Sequence, residues 1–115
     1  MHNLSHKDFS CVLNILESIK KIQLYSGSFQ NADDFYKNEI SFDASMMNFI
    51  VIGEMAEKLS EAFFEETKSE INWLKVRGFR NIIAHNYFGI DAEEVWQIIH
   101  GSLPKLKEKL ENLSN

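Results

Sequence analysis

The chain has 115 residues, 44% hydrophobic and 25% charged, which is enough for one domain with its own core. Its formal net charge of −5 argues against general affinity for nucleic acid, which depends on lysine and arginine neutralising phosphates. A single cysteine, Cys11, cannot form an internal disulfide, the start "MHNLSHKDFS" lacks the order of a leader peptide, and no apolar run is long enough to span a membrane, so a cytoplasmic setting is expected.

One proline, five glycines and apolar residues spaced by three and four predict an all-α fold, an antiparallel bundle of four main helices over residues 1–115. The first helix should begin at Ser5, with Asp8 completing a capping box and Leu4 and Phe9 forming a staple. Its buried stripe is expected to be Phe9, Val12, Leu13, Leu16 and Ile19. "YSGSF" breaks it, and residues 30–41 read as a loop with one turn around Asp33–Tyr36.

A long second helix is expected over about 42–64, with Phe49, Ile52, Ala56, Leu59 and Phe63 on one side. Gly53 weakens such a helix by roughly 1 kcal/mol relative to alanine, so close approach of a neighbouring helix is its expected role. A third helix spans about Trp73–His85. A fourth starts at Asp91 with Glu94 as its capping box and Ile90 and Val95 as staple, then continues through Ile99, Leu103, Leu106, Leu110 and Leu113. Pro104 lacks an amide donor and should kink this last helix around Gly101–Pro104.

Charge is uneven along the chain. Between Asn72 and Ile90 there is no acidic residue, and Lys75, Arg77 and Arg80 give +3, which leaves −8 on the rest. An anion would meet a local basic patch. Each helical residue advances by about 100°, so Val76, Phe79, Ile82 and Ile83 share the core side of the third helix. The other side carries Arg77, Arg80, Asn81, Ala84 and His85, with no carboxylate within the helix to neutralise it. Guanidinium forks match phosphate oxygens, and imidazole moves protons near neutral pH. Such a face is either a phosphate-handling site or a polar interface. Arg80 and His85 lie roughly 140° apart on an ideal helix, so convergence needs the helix end to unwind or a second copy across a two-fold axis. A dimer would put two arginines and two histidines in one cleft, giving both an acid and a base. Asn86 would fall on the core side, so the helix is expected to end there with Asn86 as its cap.

"GFRNIIAHNYFGID", followed by "VWQIIHGSLPKL" and preceded by "IGEMAEKLSEAF", resembles the HepT-like group of the HEPN superfamily. The pattern R-x-x-x-x-H-x-Y is met by Arg80, His85 and Tyr87, and the likeness runs from about Ala44 to Leu110. The resemblance implies a homodimer with facing motif helices and a metal-independent endoribonuclease that needs no cofactor. It also implies a toxin acting on tRNA or mRNA beside an MNT-type nucleotidyltransferase antitoxin. On this likeness Arg80 and His85 are catalytic, and Tyr87 is the AMP acceptor whose adenylylation silences the toxin. Asn81 and Arg77 are candidates for positioning the phosphate.

Other candidates are weaker. His2 and His6 have metal-ligand spacing but no third ligand, His100 reads as a helix cap, and Trp73 and Trp96 read as packing anchors. Glu54 reads as structural, with a place near the cleft as the alternative, and Cys11 has no partner for nucleophilic work. The rival to a ribonuclease is a non-catalytic helical adaptor that binds a nucleotidyltransferase.

Overall fold

Ser5 opens the first helix through its hydroxyl, which accepts the amide of Asp8 at 3.1 Å. The computed structural model describes residues 4–85, 89 and 91–114, and the side chains of these other than 82–85 and 114. Helix α1 is His6–Ser26, α2 is Ala32–Lys37, α3 is Glu39–Lys58 and α4 is Glu61–Thr67. Helix α5 is Trp73–His85 and α6 is Ala92–Gln97; a π-helical turn, Ile98–Ser102, then leads into α7, Leu103–Ser114. The described residues contain no strand, as an all-α chain requires.

Most of these helices start on a side-chain cap. Asn31, Asn38, Ser60 and Asp91 each accept amide protons from the first turn of α2, α3, α4 and α6. Helix α3 lies against both α1 and α5, and the three supply most of the core. Ile15, Ile19 and Ile22 of α1 meet Met46, Phe49 and Ile52 of α3 in that core, and Phe49 meets Phe79 of α5 edge to face at 5.5 Å. Val95, Ile99, Leu103, Leu106, Leu110 and Leu113 close the remaining side.

Several expectations are corrected. Phe9 and Leu13 are not core residues; they stay 40% and 47% exposed, and Cys11, Ile15 and Ile22 are buried in their stead. The predicted helix 42–64 begins earlier, at Glu39, and stops at Lys58, where Leu59 turns extended and Ser60 starts α4. The cause is tertiary: the Asp8 carboxylate accepts the Ser60 amide at 2.8 Å and the Ser60 hydroxyl at 2.6 Å. Asp8 therefore ties the start of α1 to the start of α4.

Where the kink was expected, the last helix carries a widened, π-helical turn, Ile98–Ser102. The Leu103 amide reaches five residues back to the Ile98 carbonyl, and α7 continues from there. This register shift accommodates a proline that cannot donate to the turn before it. His100 accordingly lies inside a continuous helical run and not at a helix end; its Nδ1 is 2.9 Å from the Trp96 carbonyl oxygen. The expected cap at Asn86 and the Ile90 half of the second staple lie outside the described residues.

Candidate active site

Helix α5 has the range its sequence predicts, and Val76 and Phe79 face the core. Its placement depends on Gly53. A Cβ at Gly53 would stand 2.6 Å from the Arg80 Cβ, 3.0 Å from the Arg80 nitrogen and 3.3 Å from the Arg77 carbonyl oxygen. Two of these neighbours are backbone atoms, so α3 and α5 reach this separation only because residue 53 lacks a side chain. The predicted close approach is thus present, and it falls on the motif arginine.

The same contact corrects the picture of an unneutralised basic face. Arg80 Nη1 donates to the Glu57 carboxylate, 3.3 and 3.4 Å from its two oxygens, and Arg80 Nε lies 3.9 Å from Glu54. All three side chains keep between 42% and 48% of their surface exposed, so the cluster is open to solvent. Such pairs contribute about 0–1 kcal/mol to stability, and their main effect is to fix where the guanidinium points. Glu54 therefore takes the alternative reserved for it, a place beside the motif arginine. Glu57 was missed because it lies 23 residues away in sequence. A signal existed: it follows Gly53 by four residues, about 40° around the helix, so a glycine touching the motif helix should carry Glu57 toward it.

Arg77 is also held. Its guanidinium carbon sits 3.9 Å above the Phe64 ring, and its Nε is buried with no partner among the described residues. Phe64 in turn packs edge-on against Trp73, whose indole donates to Thr67 Oγ1 at 2.7 Å. This ties α4 to the first turn of α5 and bears out Trp73 as a packing anchor. Asn81 is exposed, next to Arg80 in the chain. His85 belongs to α5 by its backbone, while its side chain and all of Tyr87 lie outside the described residues. The structure thus brings Arg80 together with Glu54 and Glu57 and fixes Arg77 on α4.

The remaining candidates carry little chemistry. Burial and the neighbouring Asp8 push the Cys11 thiol up, which keeps it protonated. His6 begins α1, His2 is outside the described residues, and among those described no three metal-ligating side chains cluster. No described helix is long and apolar enough to cross a membrane.

A family model described as "Ribonuclease HepT-like" matches residues 15–113. That span contains the Arg80 cluster and the whole of α5. The chain belongs to the HepT-like ribonuclease family of the HEPN superfamily. Curated relatives of this HepT-like chain point the same way. It is 28% identical to the "Probable ribonuclease HepT" of Thermococcus cleftensis, over 95% of this chain and 96% of that protein. It is 29% identical to a "Putative RNase" of Methanocaldococcus jannaschii, over 94% of this chain and 98% of the relative. A second protein of that organism, a "Gamma-glutamylcyclotransferase and putative RNase", is 34% identical over 90% of this chain. This chain spans 46% of that protein's length, about half. No solved structure matches.

Proposed function

We propose that this HepT-like protein is a metal-independent endoribonuclease whose chemistry is carried by Arg80 and His85. The observation that carries the reading is Arg80 itself: fixed on α5 by the Gly53 contact, oriented by Glu57, and 42% exposed. A guanidinium held in place beside solvent can receive a phosphate and stabilise the charge that builds on a pentacoordinate phosphorus. His85, the last residue of α5, transfers a proton. Asn81 and Arg77 flank Arg80 and position the backbone of an RNA, tRNA or mRNA.

The biological setting proposed is a cytoplasmic toxin–antitoxin pair, in which an MNT-type nucleotidyltransferase adenylylates Tyr87. The protein would act as a homodimer with a composite cleft. A row on α3 supports this: exposed Ile40 (85%) and Met47 (60%) alternate with half-buried Ala44 and Val51 at steps of four and three, leading to Glu54 beside Arg80. Apolar surface at that spacing suits helix-on-helix packing.

One observation favours the adaptor rival. Arg80 is already paired with carboxylates, as a purely structural arginine would be. Product chemistry separates the two. Purified protein incubated with total RNA in EDTA should leave 2′,3′-cyclic phosphate and 5′-hydroxyl ends, detected by end-specific ligation. An adaptor leaves the RNA whole.

A further inference from the structure

Cleavage through a ribose 2′-hydroxyl needs three groups at once. These are a base for the hydroxyl proton, a cation for the phosphorane and an acid for the departing 5′-oxygen. Arg80 supplies the cation, but the motif contains one histidine, which cannot be base and acid in the same step. A second histidine from a dimer partner is one solution. The structure offers a nearer one.

Resting on the ribonuclease reading, we infer that Glu57 is the general base of the reaction and that His85, from either chain of a dimer, is the acid. The Glu57 carboxylate touches Arg80 Nη1 at 3.3 Å, on the open side of the α3–α5 contact. A phosphate that takes the Nη2 edge of the same guanidinium comes to lie beside this carboxylate. In attack geometry the 2′-oxygen stands about 3–3.5 Å from phosphorus, so a base next to the arginine is next to the nucleophile as well. Its 46% side-chain exposure leaves Glu57 reachable. Glu54 is farther, 3.9 Å from Nε, and it positions the arginine from the other edge.

In this step Glu57 takes the 2′-hydroxyl proton as the 2′-oxygen bonds to phosphorus. The bond from phosphorus to the 5′-oxygen breaks, and that oxygen takes the proton of the His85 imidazolium. The products are a 2′,3′-cyclic phosphate and a 5′-hydroxyl. Glu57 is left protonated and His85 neutral, and exchange with water resets both.

The test uses the full chain and one RNA that the wild type cuts, made with its normal linkage or with sulfur replacing the bridging 5′-oxygen. A thiolate leaves without an acid. Glu57→Gln keeps a hydrogen bond to Arg80 but is no base, so it should lower cleavage by about 10²–10⁴-fold on both RNAs, the scale of general acid–base catalysis. His85→Ala should lose cleavage on the normal RNA and recover most of it on the sulfur RNA. Glu57→Asp should retain part of the rate, and melting curves should show each variant folded. A Glu57→Gln variant as fast as wild type or faster, or one rescued by the sulfur RNA, overturns the assignment and leaves the ribonuclease reading standing. A wild type that cuts no RNA overturns both.

Discussion

Gly53 and Arg80 touch: a Cβ on the glycine would stand 2.6 Å from the Cβ of the arginine and 3.0 Å from its amide nitrogen. Gly53→Ala must therefore push α3 away from α5 at the site itself. Overpacking of this kind costs roughly 1–3 kcal/mol, more than the ~1 kcal/mol that alanine returns in helix propensity. The urea midpoint should fall and RNA cleavage with it. An unchanged midpoint would show that the contact has slack.

Asp8 should stabilise the fold in a pH-dependent way. Burial raises its pKa, but hydrogen bonds from the Ser60 hydroxyl, the Ser60 amide and the Ser5 hydroxyl outweigh this, and the net shift is downward from 3.8. A carboxyl lowered on folding contributes stability above its unfolded pKa and loses it as pH falls through the folded one. Asp8→Asn should thus cost about 2 kcal/mol at neutral pH, the scale of hydrogen bonds to a charged group. The gap between wild type and variant should narrow below the ordinary carboxylate range. Urea titrations at pH 7 and pH 3 measure it; an equal gap at both would mean the carboxylate charge plays no part.

How far the sequence reaches is visible in Ser60 and Gly53. Caps and periodicity act within a few residues, so the start at Ser5, the range of α5 and the cap at Asp91 could all be read directly. Ser60 is an equally good cap by type, yet whether the chain breaks there depends on a carboxylate from residue 8, 52 positions away. The buried side of α1 was misjudged for a related reason. Phe9 and Leu13 fit the period as well as Ile15 and Ile22 do, and only the position of α3 decides between them. At the site, a glycine inside a helix announced a close neighbour but not which one. The carboxylates on Arg80 became legible only with α3 and α5 side by side.

The composite cleft can be tested by mixing. Arg80→Ala and His85→Ala chains should each be inactive, and exchanging subunits should restore cleavage if each cleft takes its arginine and histidine from opposite protomers. Activity should approach the share expected for heterodimers with one intact site. No recovery despite proven subunit exchange would mean that each chain supplies its own pair, or that all four groups are needed.

Tyr87 should be the acceptor of AMP. A nucleotide there carries a phosphate that Arg77 and Arg80 can bind, in competition with the RNA backbone. Incubation with the cognate nucleotidyltransferase and ATP should add one AMP mass to the peptide containing Tyr87 and stop cleavage. Tyr87→Phe should remain toxic when the partner is co-expressed. Full neutralisation of a toxic Tyr87→Phe chain would instead show a partner that acts by binding alone.

The central claim is that Arg80 and His85 cut RNA. It is tested most directly by following one end-labelled RNA in EDTA with wild type, Arg80→Ala and His85→Ala, all shown to be folded and in the same oligomeric state. Arg80 is half-exposed and, among the described residues, its ion pairs run across the surface of the α3–α5 contact, so its loss should leave the fold intact. Wild type should yield discrete fragments, and each variant should fall by about 10²–10⁴-fold, the range for losing a charge stabiliser or a proton-transfer group. Fragments of equal intensity in all three lanes, or none from the wild type, would contradict it.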